Sequence, residues 1–248
     1  MFIRKEVSGL VLVLLVATAL RAQDTARAVV EKAVRAHGGL ERLTRIRADQ
    51  IQVKGSLFVE GKETPFIGET LVQLPGQFKN VIQLTTPKGR VMLVQILNGD
   101  KALVTIDGQP QKIEPAALAE MRETFQLNRA VRLVPLLTDR TYSLALLGEV
   151  KVNDRPALGV RVTAKGRREL RLFFDKETGL LAKTEHTLDG PDGKEALQEV
   201  YYGDFRDLEG YKRPVKLVAF RDGKKVMEAE LTGVKYHDKI DDAEFTKP

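Results

Sequence analysis

Cysteine and tryptophan are absent from this sequence of 248 residues, and histidine occurs only three times. Without cysteine the chain can form no disulfide and can carry no lipid on an N-terminal cysteine, so its stability has to come from a packed core. The histidines, His37, His186 and His237, are far apart and show no short metal-ligand spacing. We expect them on the surface or at caps, and we expect no metal site.

Sequence motifs of the common catalytic classes are also missing. The chain has no Gly-x-Ser-x-Gly elbow, no phosphate-binding loop and no dinucleotide fingerprint. The acidic pairs Asp241-Asp242 and Asp189/Asp192 lie in polar turn contexts, where carboxylates usually cap and solubilise rather than act as general acids or bases. These absences favour a binding protein over an enzyme and suggest that no cofactor is needed.

The charge pattern argues against a nucleic-acid partner. The chain carries 40 Lys and Arg against 34 Asp and Glu, and the two signs alternate along the sequence, as in Arg167-Arg168-Glu169. No basic stripe is interleaved with aromatic residues, which nucleic-acid surfaces commonly show. The charges therefore describe a solvated surface.

The N-terminus has the order of a secretory signal peptide. Arg4 and Lys5 precede an apolar stretch over residues 7–20, and small residues follow it. The apolar stretch is shorter than the roughly 20 residues of a membrane-spanning helix. Cleavage fits after Ala22, which we favour, or after Ala19, and a retained N-terminal anchor is the alternative. We predict a signal peptide over 1–22, export to the periplasm and one domain over 23–248.

After this segment the apolar residues follow the period of an amphipathic helix. They are Ala26, Val29, Val30, Ala33 and Val34. Gly38-Gly39 would end the helix, because glycine readily adopts the left-handed conformation of a helix C-terminus. We expect the apolar face to pack on a sheet, and a short second helical turn over 40–45.

From residue 51 the apolar period changes to two, which is typical of strands. Short turns such as Asn98-Gly99-Asp100 separate the runs and predict antiparallel hairpins. The predicted strands cover 51–59, 66–74, 77–85, 91–97, 101–106, 141–152, 157–165, 168–175, 180–188, 195–205, 213–221 and 225–235. Helical spacing returns over 115–137, beginning at Pro115 and broken at Pro135. The pattern predicts a mainly β protein, a large antiparallel meander with an N-terminal helix and a mid-chain helical insert.

The fourth predicted strand is apolar on both faces, since Leu93 and Leu97 alternate with Val94 and Ile96. A sheet with solvent on one side would not show this pattern. Either helices cover the second face of a solid core, or the curved sheet wraps a cavity with helices across its mouth. For the second case the predicted apolar lining comprises Ile51, Val53, Leu57, Val72, Val94, Leu118, Met121, Phe125, Leu144, Leu172 and Phe174.

Four segments, in this order, resemble a known family. They are Val34-Arg35-Ala36-His37-Gly38-Gly39-Leu40 running into the strand at Ile51, Phe174-Asp175-Lys176-Glu177-Thr178-Gly179-Leu180, Tyr202-Gly203-Asp204-Phe205 with Gly210-Tyr211-Lys212-Arg213-Pro214, and the tail Asp241-Asp242-Ala243-Glu244-Phe245. Together they resemble the LolA/LolB-like outer-membrane lipoprotein-sorting proteins over essentially the whole mature chain.

The resemblance implies an unclosed antiparallel half-barrel whose concave side is covered by helices and holds acyl chains in the periplasm. Receptor members of the family are lipidated, which a chain without cysteine is not expected to be, so the resemblance points to a carrier-like member. The family's carriers close their lid with a strand arginine, whose position the sequence does not give. The first hypothesis is therefore a carrier for the acyl chains of a lipid or lipoprotein.

The second hypothesis is an envelope sensor or interaction module of the same fold, which docks a membrane-bound partner protein without carrying cargo. A docking module would expose an apolar patch, whereas a carrier would hide its apolar surface in a cavity. The sequence leaves both open.

Overall fold

The computed structural model describes residues 25–189 and 194–248. The predicted signal peptide over 1–22 lies outside these residues, as does Asp192 of the predicted acidic pair. No helix within the described residues is long and apolar enough to cross a membrane.

The α-helices of the described chain lie where the sequence predicts helices, whereas the 3₁₀ helix near the C-terminus was not predicted. Helix α1 covers residues 25–36 of the described chain, and Gly38 and Gly39 follow it with φ angles of 131° and 88°. The Gly39 amide donates to the carbonyl of Val34 at 2.9 Å, which closes the helix end. The others are α2 (Leu40–Arg45), α3 (Pro115–Ala130), α4 (Val134–Thr138) and a 3₁₀ helix (Asp242–Phe245).

Thirteen strands of the described chain form one antiparallel sheet that is not closed into a barrel. They are β1 (Ala48–Val59), β2 (Lys62–Gln73), β3 (Gln77–Thr86), β4 (Gly89–Asn98), β5 (Lys101–Ile106), β6 (Gln109–Pro110), β7 (Tyr142–Val152), β8 (Arg155–Ala164), β9 (Leu170–Asp175), β10 (Leu181–Asp189), β11 (Glu195–Leu208), β12 (Tyr211–Arg221) and β13 (Lys224–His237). The predicted fold class is confirmed. Only β6 had no predicted counterpart, because two residues are too few to show a period.

The strand order explains where the helical insert lies. The sheet runs β6-β5-β4-β3-β2-β1-β13-β12-β11-β10-β9-β8-β7, so β1 and β13 join two meanders and β6 and β7 form the opposite edges. The chain that connects β6 to β7 must cross the sheet, and α3 and α4 make this crossing. Helix α3 accordingly contacts both β4 and β10. The insert therefore covers the concave face.

Helix α1 packs its apolar face on the sheet, as predicted. Ala26, Val30, Ala33 and Val34 are at most 2% exposed, and they share a core cluster with side chains of β7 to β10. A fully buried valine contributes about 1.5–3 kcal/mol relative to an exposed one. This helix therefore stabilises the C-terminal half of the sheet.

The two apolar faces of β4 are covered by different elements. Val94 and Ile96 pack with Ile240 and Phe245 of the C-terminal segment, whereas Leu97 belongs to a cluster with residues of α3. At this strand, the first of the two explanations is confirmed, since the second face of the sheet is covered by other parts of the protein. The contribution of the C-terminal segment was not predicted, because its few apolar residues show no clear period.

Candidate ligand-binding cavity

A cavity of about 550 Å³ lies between the concave face of the sheet and the helical insert. Its walls come from β1–β3, β10–β13, α2 and the junction of α3 with α4. Its volume is within the range of roughly 300–1,000 Å³ that small-molecule sites occupy. Part of the concave face is therefore not filled by side chains.

Alternate residues of neighbouring strands form the apolar wall. Ile51 of β1 lines the cavity opposite Val234 of β13, and Met227 of β13 lines it further along, where it pairs with Leu57. At a rise of about 3.3 Å per residue, the wall from Met227 to Val234 along β13 is about 20 Å long. The insert contributes Leu127, Val131, Leu133 and Val134 from the other side. The apolar wall therefore extends for about 20 Å along the strands.

A carboxylate shared by two arginines lies beside the cavity, where β1 begins. Asp49 of β1 is 0% exposed and accepts from Arg132 Nη2 at 2.5 Å and from Arg213 Nη2 at 2.9 Å. Arg213 Nε also donates to the Tyr236 hydroxyl at 3.2 Å, and Arg132 Nη1 donates to the Asn128 carbonyl. A buried carboxylate needs such partners because its desolvation is otherwise costly. Two guanidiniums and one carboxylate leave one positive charge.

Both guanidiniums remain positively charged although they are buried. Burial lowers the pKa of Arg132, and Arg213 lowers it further, while Asp49 opposes the shift. For Arg213, burial acts to lower the pKa but is outweighed by Asp49 and Tyr236, so that the pKa is raised. Because the ordinary pKa of arginine lies above about 12, both side chains remain cationic at neutral pH.

Two further cations line the cavity, Arg129 and the exposed Lys212. Arg129 pairs with Asp139 at 2.6 Å, and Asp139 does not line the cavity. Of the residues that the structure describes, no aspartate or glutamate is part of the cavity wall. An apolar wall is thus combined with ionised groups of one sign.

His37 is buried and lines the cavity, so of the two expected roles, surface or cap, it does not have the first. Its Nδ1 lies 2.8 Å from the Ala33 carbonyl at the end of α1, which agrees with the expected capping role. Burial lowers the pKa of His37, which favours the neutral ring. Within the described chain, no three histidine, aspartate or glutamate side chains are placed to hold a metal ion.

The structure places two of the predicted lining residues, Ile51 and Val53, in the cavity wall. Leu57 is half-buried and pairs with the lining residue Met227. Ligand contacts of all these residues stay a prediction, but Ile51 and Val53 are the two that face open space.

The remaining predicted residues pack against protein side chains. Met121, Phe125 and the half-buried Leu118 of α3 pack with Val72 and other side chains of β2–β5. Val94 packs under the C-terminal segment, and the cluster beside α1 contains Leu144, Leu172 and Phe174. Periodicity identifies positions that face inward, but it does not distinguish a neighbouring side chain from an empty space.

Asp49, Arg132 and Arg213 were not among the predicted site residues, although Arg213 lies in a segment that carries the family resemblance. A signal was present, because Asp49 alternates with Ile51 and Val53 and so lies on the same face of β1 as these apolar residues. A charged residue in phase with an apolar face indicates a buried partner. Its partners could not be found in this way, since they lie 83 and 164 positions away in the sequence.

No protein-family model matches the sequence, and no curated protein matches it. Solved structures match it by fold. A LolA superfamily protein from Nitrosomonas europaea is 15% identical with a TM-score of 0.56, covering 90% of this chain and 97% of that one. A DUF1329 family protein from Desulfovibrio piger is 12% identical with a TM-score of 0.57, covering 89% and 96%.

A domain from Vibrio parahaemolyticus assigned to outer membrane lipoprotein sorting is 9% identical with a TM-score of 0.56, covering 90% and 97%. This chain has a LolA-like fold. The resemblance seen in the sequence is thus confirmed at the level of the fold. Identities this low transfer no residue roles, so the function has to be argued from the site.

Proposed function

We propose that this LolA-like protein is an exported periplasmic binding protein that holds an acyl chain of a lipid or lipoprotein beneath its helical insert. The observation that carries the proposal is the largely apolar cavity of about 550 Å³ beneath the insert. The signal-like N-terminus supports export, and the matched domain assigned to lipoprotein sorting supports a carrier-like role. The activity is binding rather than catalysis.

The physical driving force is the burial of methylene groups. Each methylene that enters an apolar site contributes at most about 0.8 kcal/mol, so affinity should rise with chain length until the cavity is full. A wall about 20 Å long, measured along β13 at the usual strand rise, can accept an extended chain.

A fluorescent fatty-acid analogue, titrated into the purified exported protein, tests the proposal. We expect saturable binding and displacement by unlabelled chains, with longer chains displacing better. Val53→Phe fills part of the cavity and should weaken binding, whereas Lys54→Phe on the opposite face of β1 is the matched control and should not. Melting curves of both variants show whether the fold is intact.

The alternative is a module that docks a membrane-bound partner. Large exposed apolar side chains of the described chain are spread over α2 and six strands, at Leu40, Val59, Ile67, Met92, Ile106, Leu147, Val150 and Leu197. This distribution does not favour a single docking patch. A folded protein that binds no acyl probe would contradict the carrier proposal and favour docking.

A further inference from the structure

The charges of the cavity wall identify the kind of lipid that it would accept. The ionised residues that line the cavity are Arg129, Arg132, Lys212 and Arg213, all of them cations. Asp139 pairs with Arg129. Asp49 is shared by Arg132 and Arg213, so it balances the charge of only one of these two buried arginines. The cationic residues therefore have more positive charge than their protein partners neutralise.

The two buried guanidiniums also have N–H donors that no group in the described part of the protein accepts. Within the described chain, Arg213 donates from Nε and Nη2, and Arg132 donates from Nη1 and Nη2. Nη1 of Arg213 and Nε of Arg132 have no protein acceptor among these residues. A guanidinium offers five N–H donors, and donors in a low-dielectric site bind an anionic oxygen more strongly than a neutral one.

The cationic and apolar parts of the cavity follow one another along the strands. Asp49 pairs with Tyr236 across β1 and β13, which places the arginines at the end where β1 begins. The wall then continues as apolar residues through Ile51 and Val53 toward Met227. This arrangement matches a molecule with one charged end and one long apolar chain.

We propose that the cavity binds a single-chain amphiphile with an anionic headgroup, whose carboxylate or phosphate oxygens lie at Arg132, Lys212 and Arg213. The inference rests on the proposed acyl-chain function and names its ligand class. The chain runs along β1 and β13 toward Met227. A cationic headgroup is disfavoured because the described wall offers it no carboxylate.

A chain-matched series separates the headgroup from the chain. Hexadecanoate, hexadecyl phosphate, hexadecanol and hexadecyltrimethylammonium compete against the same fluorescent probe. We expect the two anions to bind about ten- to a hundredfold more tightly than the alcohol, the range for a hydrogen bond to a charged group, and the cation to bind most weakly. Comparing the two anions shows whether the carboxylate or the phosphate is the better headgroup.

Two variants test the residues directly. Lys212→Gln removes an exposed lining charge, and Arg213→Lys keeps the charge beside Asp49 but removes the planar fork. Both should reduce the preference for anions over the alcohol by several-fold, because the alcohol has no charge for either side chain to bind, and melting curves show whether each variant is folded. Lys216→Gln, on the same strand but outside the cavity wall, is the matched control and should change neither value.

Equal affinities for all four compounds, or a preference for the alcohol or the cation, would overturn the headgroup inference and leave acyl-chain binding standing. Absence of binding by every compound, with an intact melting curve, would overturn the proposed function and this inference with it. An anion preference that persists unchanged in both variants would overturn the assignment to Lys212 and Arg213.

Discussion

Asp49 of β1 and Arg132 of the helical insert form an ion pair 2.5 Å long, although 83 positions separate them in the sequence. Arg132 lies between α3 and α4, so this pair ties the crossing segment to the strand at the centre of the sheet. Arg213 of β12 binds the other carboxylate oxygen at 2.9 Å. One carboxylate thus joins the insert to both meanders of the sheet.

Replacing this carboxylate should strongly destabilise the fold. Asp49→Asn leaves two buried guanidiniums without a counter-charge, and breaking a buried ion pair in this way costs about 3–5 kcal/mol. Chemical denaturation should show the loss as a lower midpoint. Glu230→Gln disrupts the exposed pair with Lys54 and should cost less than about 1 kcal/mol. Equal effects of the two changes would mean that Asp49 does not hold the insert.

The contact of β1 with β13 depends on a glycine. A Cβ at Gly55 would lie 2.0 Å from the Glu228 carbonyl oxygen, so the two backbones are too close for any side chain. Gly55→Ala should therefore lower the free energy of unfolding by about 1–3 kcal/mol or more, as overpacking does. Gly203→Ala in β11 is the control, because a Cβ there meets open space. Similar melting temperatures for both variants would contradict the close approach.

Acidification should destabilise the protein through His186. Burial lowers its pKa from 6.5 to about 4, with Arg168 and Arg221 adding to the shift. Between these values the unfolded chain binds a proton that the folded chain does not, so the free energy of unfolding falls as the pH falls. At about 1.36 kcal/mol per pKa unit, the loss from pH 6.5 to 4 is up to about 3 kcal/mol.

Denaturation curves at several pH values check this prediction. His186→Phe removes the titrating group and should reduce the pH dependence between pH 6.5 and 4. His37 contributes in the same direction, because its pKa is also lowered by burial, so some dependence should remain. An unchanged slope in the His186 variant would exclude His186 as a source of the effect.

Phe125 should act on stability rather than on ligand binding. It is 6% exposed, and its ring lies 6.3 Å from that of Phe78 on β3. Phe125→Ala should cost about 3–5 kcal/mol of stability, as for a buried phenylalanine. Arg122→Ala on the exposed side of α3 should change it by less than about 0.5 kcal/mol. Weaker acyl-probe binding without loss of stability would instead place Phe125 in the cavity, as the sequence alone suggested.

Local patterns determined the elements of this protein. The spacing of Ala26, Val30 and Val34 gives α1 and its buried face, and Gly38-Gly39 gives its end. Alternating apolar residues and short turns give the strands and their antiparallel pairing, usually within a few residues of their observed ends. These features could be predicted because neighbours in sequence set them.

Tertiary structure alone decided which distant segments meet. Pairing of β1 with β13, the crossing of the insert and the packing of Phe245 on β4 depend on strand order, which no local pattern specifies. The same order brings Asp49 to Arg132 and Arg213, and leaves space beside Ile51 but not beside Phe125. Periodicity indicates that a face is buried. Whether that face contacts a side chain, an opposite charge or a cavity depends on which distant segments pack against it.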